Sequence, residues 1–322
     1  MPFVPGYVHT PGHHCGSTAL RNLLAFHGAE ISEEMAFGLG AGACFYYVTI
    51  EDGSPSRWFN GRTARLEENF GELTGAALEL RTFEPGDAGA WEAARAEVDA
   101  GRPALLLTDI YHLDHYGDSA RFPGHAVVLA GYDDEHAHLS DTGFERLQPT
   151  RLENLDRARH GEHPAYPLAG HMFTASAGLS AERLREAAPA AIERAARAMV
   201  EPEIPGFSGL DAVRRLAAEA GSWPEAAADW RWCARFGYQV IERRGTGGGA
   251  FRTMYARFLA EAGRAEAPLA AAAGAAWSEL AEAFRLASER QEPEPALWRS
   301  IDTLANQVSD AEERLWTELA NP

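Results

Sequence analysis

About halfway along its 322 residues the chain changes its hydrophobic period. Up to about Ser176, helical spacings alternate with strand-like runs; from about Leu179 onward every apolar segment repeats at the spacing of an α-helix. Neither a single sheet nor a single bundle accommodates both patterns. The change predicts an α+β first domain over 1–176 and an all-helical second domain over 177–322, each long enough to bury its own core.

Within the first half, residues 17–27 put Ala19, Leu20, Leu23, Leu24 and Phe26 on one helical face, with Gly28 as a C-cap. Ser32 reads as the N-cap of a short helix, "SEEMAFGLG". "CFYYVTI" has the β-branched and aromatic content of a strand. The helical "AGAWEAARAEVDAG" leads into "RPALLLTDIY", a continuous apolar run expected to be a buried strand. "HAVVLAGYDDEHAHLSDTG" reads as two strands about a polar turn, and "AGHMFTAS" as a strand closing the sheet. In the second half, Pro, Gly and Ser separate six helical segments.

Charge and cysteine usage narrow the function. A net charge of -18 argues against nucleic acid or an anionic membrane as partner, since both need basic surface, and suits a cationic small molecule. Every basic residue is arginine, so no lysine is present to form a Schiff base or act as a general base. No apolar run approaches the roughly 20 residues needed to span a bilayer. The opening "MPFVP" lacks the basic and apolar stretches of a signal peptide, and three cysteines (Cys15, Cys44, Cys233) are too few and odd in number for a disulfide framework. The expected location is a reducing cytoplasm. The reading calls for no cofactor.

Cys15 carries the chemical interest. It sits in "TPGHHCGSTALRNLLAFHG", just before a helical pattern, where it is a buried small residue, a metal ligand or a nucleophile. Adjacent residues on an extended segment point apart, and no CxxC or HxxxH accompanies "HHC", which argues against zinc. A helix N-terminus lowers a thiol's pKa, and a thiolate nucleophile needs a base that is itself oriented. His125 opens an apolar strand after the Pro123-Gly124 turn. With the turn within Asp133–His136, antiparallel pairing sets Asp141 opposite roughly residues 125–128, where a carboxylate would fix the imidazole tautomer. A one-residue slip would send Asp141 to the other face.

"HCGSTALRNLL" with "HAVVLAGYDDEHAHLSDTG" resembles the papain-like cysteine fold, in the branch related to peptidases that trim bacteriocin leader peptides. More closely, "HCGSTALRNLLAFHG", "SEEMAFGLGAG", "DIYHLDHYG" and "IERRGTGGGAFRTMYARFLAEA" are similar to the butirosin biosynthesis protein H family. That resemblance spans nearly the whole chain and implies a papain-like N-terminal domain joined to a helical domain of undefined role. It further implies an acyltransferase of secondary metabolism, moving an acyl group from an acyl carrier protein thioester to an amine of an aminoglycoside-like acceptor. Carried over, Cys15 takes the acyl group, His125 shuttles the proton and Asp141 orients His125. The related peptidases place a glutamine a few residues before the cysteine; here His9, His13 and His14 stand in that stretch, so the oxyanion hole would either use the Cys15 N–H with a histidine or be weaker than a peptidase needs, with His9 and His14 the residues of this stretch expected to bind substrate. Two other readings stay open: a cysteine peptidase or amidase with the same three residues, and a non-enzymatic ligand-binding protein.

Other residues are weighed more evenly. The loop "DIYHLDHYG" holds Asp109, His112, Asp114 and His115, and is either a solvated connection or the recognition loop for an amine, with Asp109 and His112 the residues expected to bind. Cys44 reads as packing and Cys233 as core. "ERRGTGGGAFR" is either a helix breaker or, with Arg243, Arg244 and Arg252, a cradle for a carrier's phosphopantetheine phosphate.

Overall fold

The computed structural model describes residues 2–75, 78–117, 121–161, 166–175 and 180–321. Helices and two sheets make up an α+β chain whose strands all precede residue 176 and whose later part is helical. By packing, the described residues form two units, one drawn from 1–36 and 64–186, the other from 37–63 and 187–322. The stretch 37–63 therefore packs with the later helices rather than with its sequence neighbours. The expected boundary between 176 and 177 lies outside the described residues. Among the described residues no helix is long and apolar enough to cross a membrane.

The elements come in the order α1 (Cys15–Phe26), α2 (Glu33–Leu39), β1 (Ala43–Thr49), β2 (Arg57–Arg62), α3 (Leu66–Thr74), β3 (Leu78–Arg81), α4 (Gly89–Asp99), β4 (Ala104–Asp109), β5 (Pro123–Tyr132), β6 (His136–Ser140), β7 (Gln148–Arg151), α5 (Leu152–Arg159) and β8 (Met172–Ala175). The helices α6 (Ala181–Arg185), α7 (Ala188–Val200), α8 (Gly209–Ala220), α9 (Trp223–Ala226), α10 (Trp230–Glu242), α11 (Arg252–Glu261), α12 (Ala267–Ser288) and α13 (Pro295–Ala320) follow.

In the first unit an antiparallel sheet runs in the order β3-β8-β4-β5-β6-β7. The apolar run of β4 is buried throughout, and β5 is buried over His125–Gly131. A buried cluster joins Leu106, Val127, Leu129 and Leu139 of the sheet to Ala94 and Val98 of α4 and Leu155 and Ala158 of α5. The β5–β6 hairpin pairs Val128 with Ser140 and Leu129 with Leu139, the expected register, so Asp141 follows directly on the last pair. The strand expected to close the sheet does not lie at its edge: β8 pairs with both β3 and β4. The edge strands β3 and β7 are short and largely exposed, so neither has an apolar run to announce it.

In the second unit, β1 and β2 form a two-stranded sheet, too small to be stable alone. Its aromatic residues find a core: the Phe45 ring centroid lies 5.1 Å from that of Trp277, and Phe59 lies 6.2 Å from the same indole. A buried ion pair sits nearby. Arg252 donates Nε–H and Nη2–H to Glu312 at 2.8 and 2.9 Å, while Trp277 and Trp316 donate their indole N–H groups to the same carboxylate at 2.7 and 2.6 Å. The segment "SAERLREAAPAAIERAARAMV" forms α6 and α7 rather than one helix. Pro189 stands in the first turn of α7, where its missing N–H costs no hydrogen bond.

Candidate active site

Helix α1 starts two residues earlier than its pattern suggests, which makes Cys15 its first residue. His14 is the N-cap; its Nδ1 accepts the Ser17 N–H at 3.3 Å, and its carbonyl accepts the first intrahelical bond from Thr18. The segment before the helix is tied down from two directions. Glu33, in the first turn of α2, accepts the His13 and His14 N–H groups at 2.9 and 2.7 Å on Oε1. Gly12 N–H donates to the Thr142 carbonyl at 3.1 Å, which binds this segment to the chain just beyond Asp141. Gly16 keeps the helix start narrow: a side chain there would run into Leu66 and the Glu67 carboxylate of α3.

His125 is set by β4 and β5. Its backbone pairs with Thr108, whose hydroxyl donates to the His125 carbonyl at 2.9 Å. Its ring reaches Asp141, with Nε2 at 2.9 Å from Oδ1 and 3.0 Å from Oδ2. The Cys15 thiol is a hydrogen-bond partner of the same ring. Burial alone would lower the His125 pKa; the Asp141 carboxylate, with the Cys15 sulfur, outweighs it and pushes the group up to about 10. Asp141 is itself fully buried. Burial would raise its pKa, but the His125 charge and the N–H groups of His115 and His125 hold its carboxyl well below the usual range. Near neutral pH the pair is therefore an imidazolium and a carboxylate.

Two more side chains converge on Asp141. His115 Nε2 lies 2.8 Å from Oδ2, and its Nδ1 faces the Thr150 hydroxyl at 3.3 Å. A hydroxyl donating to Nδ1 fixes the tautomer that carries its proton on Nε2, toward Asp141. Tyr116 donates its hydroxyl to Oδ1 at 3.3 Å, and its ring stands edge-on to His125. Burial, with Asp141 and Cys15 nearby, raises the Tyr116 pKa, so the phenol remains a neutral donor. Phe144 packs edge-on against both His115 and Tyr116. One carboxylate thus receives hydrogen bonds from two imidazoles and a phenol within an aromatic enclosure.

The other expected binding residues fall elsewhere. His9 uses both ring nitrogens, Nδ1 on the Ser140 hydroxyl at 2.7 Å and Nε2 on the Phe144 carbonyl at 2.8 Å, so it laces the N-terminal segment to the chain around Asp141. His14 caps α1 through its Nδ1. Asp109 is fully buried and turned onto its own loop, accepting the Phe122 N–H at 2.9 Å, the Tyr111 N–H at 3.2 Å and Arg121 at 3.1 Å. His112 lies in the turn that Asp109 caps, against Tyr111. Within this loop it is His115, with Tyr116, that reaches Asp141. Arg252 binds no outside phosphate: its guanidinium is spent on Glu312 and the Cys44, Gly61 and Ala250 carbonyls of the second unit. The glycine run is folded on itself, with Gly248 N–H on Thr246 and Gly249 N–H on Glu242. Cys44 and Cys233 are buried in the second unit, and burial raises both thiol pKa values.

Sequence reasoning missed Glu33 and Tyr116, and placed His115 only in a candidate recognition loop. Glu33 reads simply as an acidic residue complementing the start of α2, and nothing in "DHYG" reveals that the turn aims both rings at Asp141.

The first unit thus brings together a thiol at a helix start, an imidazole and a buried carboxylate. A family model described as butirosin biosynthesis protein H, N-terminal, matches residues 14–142 and so takes in Cys15, His125 and Asp141. A second, described as a domain of unknown function (DUF4872), matches residues 153–319. The chain belongs to the butirosin biosynthesis protein H-like family. No curated protein matches it.

Proposed function

We propose that this protein is a cysteine-dependent acyltransferase of secondary metabolism, with Cys15 as nucleophile, His125 as proton carrier and Asp141 as its orienting partner. The observation that carries the reading is the hydrogen-bonded chain from the first residue of α1 through His125 to a buried, multiply donated carboxylate. Structural cysteines do not need a base, and a base does not need so tightly held a partner unless its proton must move. The α+β unit is compatible with a papain-like frame, and the family's name points to biosynthesis of an aminoglycoside antibiotic.

In this reading the Cys15 thiolate attacks the carbonyl carbon of a thioester, of the kind an acyl carrier protein presents. A new carbon–sulfur bond forms to Cys15, the bond to the donor sulfur breaks, and His125 protonates the departing thiolate. An amine then attacks the acyl-cysteine. His125, now neutral, takes the amine proton, the Cys15 carbon–sulfur bond breaks, and an amide leaves with the thiolate restored. A thioester is an easier acyl donor than an amide, so this chemistry asks less of an oxyanion hole than peptide cleavage does. The chain's net charge of -18 favours a cationic acceptor over an anionic one.

The test is turnover of an acyl N-acetylcysteamine thioester, followed by release of free thiol with and without an aminoglycoside. Amine-dependent thiol release with a stoichiometric amide product supports the transferase. Thiol release at the same rate in water alone, with free acid as sole product, replaces it with a hydrolase.

A further inference from the structure

We propose that the helical unit carries a second binding site, separate from the cysteine, for a phosphorylated small molecule. A cavity of about 510 Å³ is lined by Arg235, Tyr238, Gln239, Arg243, Arg244 and Arg285. The first five come from α10 and the two residues after it, and the sixth from α12. The lining therefore holds four guanidinium groups and no carboxylate, in a chain with 47 acidic and 29 basic residues. Its volume falls in the usual range for small-molecule pockets, about 300–1,000 Å³.

What distinguishes these arginines is that they share one cavity. Some exposed arginines elsewhere find carboxylates, as Arg102 does with Glu97, Arg151 with Asp114, and Arg214 with Asp211 and Glu313. Arg285 does the same, held between Glu282 and Glu289 at 2.7 and 2.6 Å. Among the described residues, Arg235, Arg243 and Arg244 have no carboxylate within ion-pair distance. Neutral groups orient them instead. Arg244 donates to the Gln239 side-chain carbonyl at 2.8 Å with its guanidinium 5.1 Å from the Phe236 ring centroid, and Arg235 lies 5.4 Å from the Tyr238 ring. In an acid-rich chain, gathering unpaired like charges costs stability unless an anion joins them.

A plainer cause covers part of this: the C-terminus of a helix favours cations, and Arg243 and Arg244 follow the last residue of α10. It does not account for Arg235, two turns back. The planar donor fork of arginine matches phosphate oxygens in pairs, and several forks around one cavity suit a dianion better than a carboxylate. The cavity exceeds a single phosphate, so the ligand is a polyphosphate or a phosphate ester whose remainder lies along Tyr238. The glycine run after Arg244 is not the cradle, because Glu242 and Thr246 occupy its amides.

The test is isothermal titration calorimetry of the full chain with inorganic pyrophosphate and with adenosine monophosphate at fixed ionic strength, beside sodium sulfate. The expected result is saturable one-to-one binding of at least one phosphate, weakened more than tenfold in Arg243→Ser/Arg244→Ser and unchanged in Arg214→Ser. Preference for pyrophosphate marks a free polyphosphate as ligand; preference for adenosine monophosphate marks an ester. Should the double variant not fold, Arg235→Ser is expected to give the same loss. Absence of saturable heat from either phosphate, equal binding of sulfate, or the same loss in Arg214→Ser would overturn the site.

Discussion

Replacing Asp141 by asparagine keeps the shape of the side chain and removes its charge, which separates positioning from electrostatics. In the wild type the carboxylate overcomes burial and carries His125 up to about 10. Without it, the strongest influence holding His125 up is gone, and the imidazole falls back toward its ordinary value of about 6.5. At pH 6 a protonated His125 beside Cys15 favours the thiolate over the thiol by charge and hydrogen bonding. Asp141→Asn withdraws that support, and an ordinary thiol near 8.5 is only about 0.3% thiolate at pH 6. The alkylation rate of Cys15 by iodoacetamide at pH 6, read by mass spectrometry, should therefore fall by more than about a hundredfold. Its pH profile should become a single rise centred between about pH 8 and 9. Stability should follow the same linkage. A carboxyl held low adds stability above its ordinary range near 4, lost as pH falls through the folded value; an imidazole held high adds stability below about 6.5, lost as pH rises through about 10. Asp141→Asn should flatten both ends of the stability profile. An unchanged alkylation rate and profile would refute the coupling of Asp141 to the thiol through His125.

Three further outcomes follow from the same contacts. His115→Leu removes one donor from Asp141 and should cost about 1.5–3 kcal/mol in alkylation or transfer barrier; His115→Gln, which returns an N–H near Nε2, should recover much of it, whereas equal loss in both would make His115 merely structural. Glu33→Ala leaves the His13 and His14 amides without their acceptor, so thermal unfolding should come earlier by about 1–3 kcal/mol of stability, with a smaller loss in Glu33→Gln. Arg252→Met strands Glu312 in the core of the second unit and should cost about 3–5 kcal/mol in chemical denaturation, yet leave the pH profile of Cys15 alkylation in the folded protein unchanged.

Much of this site is legible in the sequence because its main residues sit where local pattern speaks. Cys15 precedes a clear amphipathic run, His125 opens a buried strand, and the polar turn after Tyr132 sets the register that brings Asp141 alongside. Residues whose roles depend on a turn's path were not legible. Asp109 looked available at the end of an apolar strand, yet its carboxylate closes its own loop, and His115 six residues later does what no periodicity foretells. Arg252 was misplaced for a related reason. Beside glycines it suggested a phosphate cradle, but only tertiary packing reveals Glu312 sixty residues away as its partner. The hairpin 43–62 carries a strand pattern in its first strand, but nothing local tells that its aromatic residues pack on Trp277.

Whether Cys15 accepts an acyl group is read by intact-protein mass spectrometry after brief exposure to a short acyl N-acetylcysteamine thioester, with Cys15→Ala alongside. The wild type should gain one acyl mass, lost when an aminoglycoside is added, and the variant none. No adduct in either protein, or an equal adduct in both, would contradict acyl transfer to Cys15.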